Sequence, residues 1–164
     1  LSSYQSKERK LEILKDSHVG AFALISCMVY FIMMAGVWSE LKPGSVLTLS
    51  VGFVLSRALS GFSVVTFTCA KNSGLAHAFS DASQKTVVRI VMLILAISSG
   101  ATMLFMGRIV GLSTLLGAIC VFVYYRHVAY KQFDGITGDI AGWFLQICEL
   151  VMAICAVAGQ ALIR

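Results

Sequence analysis

Five apolar stretches occupy most of this chain, over residues 19–38, 45–67, 86–106, 110–125 and 140–163. Each is about long enough to cross a hydrocarbon core of about 30 Å at about 1.5 Å per helical residue. The fourth is short, and its span extends through Arg126 toward Tyr130 if the helix tilts or its basic end snorkels. Composition agrees: 58% of the residues are hydrophobic, 13% are charged, one is proline and the mean hydropathy is +0.85, outside the range of a soluble domain. The expected fold is all-α, a polytopic integral membrane helical bundle of about five transmembrane helices forming one membrane domain over residues 1–164. Residues 1–18 form a polar, amphipathic lead-in, with Leu11 and Leu14 on one side and charges around them, suited to a helix lying on the membrane surface. The chain opens on Leu1, with no basic-then-apolar signal design, and is expected to be N-terminally truncated.

Several function classes lose their carrier at this stage. The five cysteines, Cys27, Cys69, Cys120, Cys148 and Cys155, have no C-x-x-C spacing and are expected to be small buried hydrophobes. A net charge of +5 without a basic stripe interleaved with aromatics gives no nucleic-acid surface. His18, His77 and His127 form no H-E-x-x-H pair, and G-x-S-x-G, G-x-G-x-x-G and Walker motifs are absent.

The positive charge orients the helices instead, because cytoplasmic loops retain Lys and Arg. Nine basic residues fall on one side: Lys7, Arg9, Lys10 and Lys15, then Lys71, Lys85 and Arg89, then Arg126 and Lys131. Lys42, Arg108 and Arg164 fall on the other, and Arg57 lies within a span. The N-terminus is therefore expected in the cytoplasm and the C-terminus outside. The external connections, SELKPG and MGRI, are tight turns, whereas three longer segments face the cytoplasm and carry six of the eight acidic residues and all three histidines.

Two of those segments place glycine, hydroxyl and aspartate at the mouth of a span. In FDGITGD, Gly135 and Gly138 give backbone freedom, Thr137 a hydroxyl and Asp139 a carboxylate at a helix start, an arrangement that serves either as an N-cap or as a phosphate and metal-phosphate cradle. Asp134 and Asp139 repel a bare phosphate but hold one together with a hard ion such as Mg2+. The second cluster, Lys15, Asp16, Ser17, His18, Val19 and Gly20, reads equally as a capped helix with a snorkelling lysine. A third, Lys71 to His77, reads alone as an ordinary loop.

Within the spans, Arg57 and Glu149 both lie about 15 Å deep and are expected to pair as a structural intramembrane contact, since an isolated charge at mid-membrane is costly. Asp139, Gly142, Gln146 and Glu149 share roughly 80° of arc and are expected to face the bundle. Gly52, Ser56 and Ser60 give the second span a small-residue packing edge.

These residues resemble a known family, cobalamin synthase, also called adenosylcobinamide-GDP ribazoletransferase. ERKLEILKDSHVGAF is similar to the family's R-x-L-E-I-M-K-D-S-x-x-G, and GITGDIAG to its G-G-x-T-G-D-x-x-G, with CAKNSGLAHAF between them. Order and spacing agree over essentially the whole chain. Asp134 stands where the family has glycine, and the family's acidic D-G-x-x-D-T-x-D segment, its principal metal and catalytic motif, is expected upstream of Leu1. The resemblance implies a multi-pass enzyme of the bacterial or archaeal cytoplasmic membrane, of which this chain is a C-terminal portion, inactive alone. It implies Mg2+-dependent joining of α-ribazole, or its 5'-phosphate, to adenosylcobinamide-GDP with release of GMP. By matching positions, Lys15, Ser17, Gly135, Thr137 and Gly138 would bind substrate phosphate, and Asp139 and Asp16 the metal. A non-catalytic membrane transport or scaffold subunit is the alternative, and it requires polar groups along a path through the bilayer rather than at one face.

Overall fold

The structure, a computed structural model, describes residues 6–13, 20–70 and 84–163. Among the described residues six helices follow in order: α1 Lys7–Ile13, α2 Ala21–Ser39, α3 Pro43–Thr66, α4 Lys85–Met106, α5 Arg108–Phe133 and α6 Gly138–Ala161. Helices α2 to α6 are each long and apolar enough to cross a membrane. Lys15, Asp16, Ser17, His18 and the Lys71–His77 cluster lie outside the described residues.

Local chemistry sets the helix ends. Pro43 opens α3 at a first-turn position, where its missing N–H and fixed φ cost nothing. Only Gly107 separates α4 from α5, and the reversal depends on Gly111, where a Cβ would collide with the Met103 carbonyl. Helix α5 continues past its apolar stretch to Phe133, carrying Arg126, His127 and Lys131 as exposed helical residues. It stops at Asp134, in the left-handed region at φ 56°, while the Gly135 N–H donates back to the Ala129 carbonyl.

Helices α3 and α6 run antiparallel. The start of α3 meets the end of α6 through Lys42 N–H donating to Gln160 Oε1 at 3.1 Å, and the far end of α3 meets the start of α6 through Ala70 N–H donating to the Ile136 carbonyl at 2.9 Å. Helix α5 packs along α6, and α4 along α3. The core between them holds Leu49, Met103, Met152, Phe144, Tyr125 and Phe133, with Tyr125 and Phe144 stacked at 4.7 Å between ring centroids. Gly52, Ser56 and Ser60 are buried, and a Cβ at Gly52 would sit 3.2 Å from the Met152 sulfur, so close packing explains that edge.

Two expectations are corrected. The α6 stripe of Asp139, Gly142 and Gln146 is exposed rather than turned into the bundle. Ile140, Phe144 and Cys148, at helical spacing on another side of α6, fill the core, and their apolar volume decides which way the helix turns. Among the cysteines only Cys148 is fully buried; Cys27 and Cys120 are exposed on apolar helix surfaces that a bilayer would cover.

Helix α2 is attached along one line. Tyr30, Met34, Val37 and Leu41, at helical spacing, are partly buried, whereas residues 21–29 are exposed on every side.

Candidate functional site

The bundle has two ends, and the chemistry collects at the one that carries α1. There the segment after α3 and the segment before α6 are stitched side by side in a parallel bridge between Cys69 and Ile136. Ile136 N–H donates to the Thr68 carbonyl at 2.9 Å, Ala70 N–H donates to the Ile136 carbonyl at 2.9 Å, and Thr68 N–H donates to Tyr130 Oη at 3.2 Å. Helix α1 docks onto the same place: Lys7 Nζ pairs with Asp134 Oδ1, Lys10 Nζ donates to Gln132 Oε1 at 3.3 Å, and Leu11 packs against the core. Three connectors that are distant in sequence therefore meet at one end of the bundle.

Within FDGITGD the residues separate into different tasks. Asp134 is committed to Lys7 and to the turn that ends α5. Gly135, at φ 155°, holds a conformation that side-chain-bearing residues rarely adopt, and a Cβ there would strike the Thr68 carbonyl. Its absent side chain is what lets the two connectors approach. Thr137 caps α6, its Oγ1 accepting from the Ile140 N–H at 3.3 Å, so the cap is Thr137 and not Asp139. Asp139, in the first turn of α6, is exposed and makes no hydrogen bond or ion pair with another described residue. Gly138 is exposed too, with nothing within 4 Å of a Cβ built there. A carboxylate without a partner among the described residues, a bare glycine and the open N–H groups of a first helical turn thus face outward together, where the helix dipole favours anionic ligands.

An aromatic and basic layer surrounds this end. The Arg126 guanidinium lies 5.4 Å from the Phe67 ring centroid and 6.0 Å from that of Tyr130. Arg89 Nη2 donates to the Val65 carbonyl at 3.3 Å. The roles of Tyr130, Lys7 and Lys10 in holding the connectors escape sequence reasoning, because each contact spans more than 60 residues. The one available signal was the basic side of the α1 segment, which pairs with α5 instead of facing only lipid.

At mid-depth, Arg57 Nη1 lies 2.6 Å from Glu149 Oε1 and donates to the Phe53 carbonyl at 3.0 Å, while Ser56 Oγ donates to the same carboxylate at 3.3 Å. Glu149 is largely covered, at 17% side-chain exposure, but the Arg57 side chain is 61% exposed.

No group of three or more His, Cys, Asp or Glu side chains converges on a point suited to a metal among the described residues. The exposed carboxylate of Asp139 fits the mode in which Mg2+ binds through one or two carboxylates together with substrate phosphates and water, rather than a cage built wholly of protein.

Comparison with known proteins places this geometry in context. Residues 1–157 match the family described as cobalamin-5-phosphate synthase. The chain is 44% identical over 163 residues to the adenosylcobinamide-GDP ribazoletransferase of Lachnoclostridium phytofermentans, covering 99% of this chain and 62% of that protein. It is 31% identical to the like-named protein of Desulfitobacterium hafniense (95% of this chain, 62% of that one) and 30% identical to that of Clostridium perfringens strain 13 (91% and 60%). The chain thus spans about three-fifths of the length of these relatives. No solved structure matches it.

Proposed function

The chain belongs to the cobalamin-5-phosphate synthase family, and from that membership we propose that it takes part in joining α-ribazole, or its 5'-phosphate, to adenosylcobinamide-GDP. In this reaction a ribose hydroxyl oxygen forms a bond to the cobinamide-linked phosphorus, the bond from that phosphorus to GMP breaks, and the hydroxyl proton passes to a base. The reading is carried by one observation: the Asp139 carboxylate and the open first turn of α6 stand beside three connectors that hydrogen bonds and an ion pair draw together.

Each residue then has a task. The amides of the first α6 turn, including those of Gly138 and Asp139, donate to phosphate oxygens. Thr137 accepts from Ile140 and keeps its hydroxyl hydrogen for a phosphate oxygen. Gly135 contributes indirectly, since its N–H is already given to Ala129 and its bare Cα keeps the connectors in register. Lys15 would supply a cation and Ser17 a hydroxyl to the phosphates, and Asp16 and Asp139 would hold Mg2+. Mg2+, when bound, would neutralise the charge that develops on the phosphate oxygens. The α1 end faces the cytoplasm of a bacterial or archaeal cell, as the excess of Lys and Arg in its connectors indicates.

The mid-depth Arg57–Glu149 pair favours a second reading, a transport or scaffold subunit. The polar line from Asp139 through Gln146 ends at that pair, however, and the next polar side chain of α6, Gln160, is committed to the turn at the opposite end. A path that stops at mid-depth suits a site at one face better than a route across. The deciding experiment is Asp139→Asn in the active enzyme, read by GMP release over a Mg2+ titration. Turnover is expected to fall about 100-fold or more with a weakened response to Mg2+. Unchanged turnover and unchanged Mg2+ dependence would sink the assignment.

A further inference from the structure

The side of α6 that carries Glu149 continues toward the α1 end through Gln146, Gly142 and Asp139, and there it is uncovered. Helix α2 does not cover it, because residues 21–29 are exposed all round and the contact line of α2 begins only at Tyr30. The uncovered strip adjoins the 61% exposed side chain of Arg57, whose pairing with Glu149 leaves most of its N–H groups unspent. Gln146 lies about 12 Å into α6 and Arg57 lies deeper, so this is membrane interior, where a guanidinium and a primary amide facing acyl chains are strongly disfavoured. Lipid is therefore a poor occupant. Gly142 stands on the same strip, and a Cβ there would have nothing within 4 Å. Its bare Cα admits the close approach of another helix backbone.

We infer that this strip, Gly142 and Gln146 with Arg57, is the seat of a further transmembrane helix lying outside residues 6–163. The occupant presents a small residue to Gly142 and a hydrogen-bond acceptor to Gln146 and Arg57. A second copy of this chain is the weaker occupant: a twofold axis along the membrane normal would set α6 beside its mate and bring Asp139 against Asp139. A source of suitable helices exists in the relatives. The 163 matched residues are 62% of the Lachnoclostridium protein, leaving about 100 residues, room for two or more spans of about 20 residues each. The inference does not rest on the transferase reading, since its test requires no turnover.

The test places the photocrosslinker benzoylphenylalanine at position 146, and at position 105 for comparison, in the protein expressed from its complete gene in its own membrane. Phe105 is 92% exposed and serves as the lipid-facing reference. The expected result is a covalent adduct at 146 to a peptide of a transmembrane helix outside residues 6–163, with at least tenfold fewer lipid adducts than at 105. Adding Gly142→Leu, which the described fold has space to accommodate, is expected to abolish the helix adduct and raise lipid adducts at 146 to the level at 105. Adducts at 146 to lipid at the level seen at 105, to a second copy, to α2 or to a corrinoid would each overturn the inference, as would indifference to Gly142→Leu.

Discussion

Gly135 and Gly138 stand three residues apart and are chemically identical, yet the structure gives them opposite tolerances. Gly135 holds φ 155° with the Thr68 carbonyl where its Cβ would go, whereas Gly138 faces open space. Gly135→Ala is expected to cost about 2 kcal/mol or more and to lower the thermal midpoint in detergent, because strain and collision add. Gly138→Ala is expected to leave that midpoint unchanged. If Gly138→Ala nevertheless weakens binding of the nucleotide substrate, the glycine serves the ligand and not the fold. The Arg57–Glu149 pair makes a comparable point about company. Either single change, Arg57→Gln or Glu149→Gln, leaves a charged group at mid-depth without its counter-ion, while the double change leaves none. A double-mutant cycle is therefore expected to return a coupling of about 1 kcal/mol or more, read from unfolding in mixed micelles. A coupling near zero would mean that Ser56 and the Phe53 carbonyl alone satisfy the two groups.

At the scale of the element, helix ends carry more of the specificity than helix interiors. Thr137→Ala should cost about 1 kcal/mol by removing the cap on the Ile140 N–H, and Thr137→Ser should restore it, both read from thermal unfolding. At the opposite end of α6, the Gln160 side chain donates to the Glu40 carbonyl and accepts from the Lys42 N–H, fastening the α2–α3 turn to α6. Gln160→Leu is expected to cost about 1 to 3 kcal/mol by leaving those backbone groups unpaired, and to raise amide exchange over residues 39–42. The existence of the long helices was legible in the sequence, because apolar length alone announces a span. Which side of α6 faces inward was not. Periodicity puts Asp139, Gly142 and Gln146 on one arc but does not say whether that arc faces inward, and Phe144 and Cys148 fill the core instead. The extension of α5 to Phe133 was obscured by Arg126, His127 and Lys131, which lower hydropathy without breaking a helix. The bridge between residues 68–70 and 136 left no sequence signal at all, since it is made of backbone.

For the molecule as a whole, the two ends of the bundle differ in kind. The α1 end joins its connectors through Lys7, Ala70 and Ile136 and is layered with Arg89, Arg126 and Lys131, while the other end consists of the short turns around Glu40 and Gly107 and the exposed Leu162. An aromatic and basic layer of this sort suits the interface that retains positive charge, and the orientation proposed above puts the α1 end in the cytoplasm. Cysteine substitutions at Lys131 and at Leu162, both exposed, test this with a membrane-impermeant maleimide. The native cysteines lie within the long helices except Cys69, which is half-buried in a connector, so labelling of the unsubstituted protein supplies the background. In intact spheroplasts Leu162→Cys is expected to label and Lys131→Cys to be protected until lysis. A reversed pattern would invert the orientation yet leave the bundle intact. Labelling of both sites from the same side is a different outcome, because only α6 crosses the membrane between residues 131 and 162, and it would show that α6 does not span.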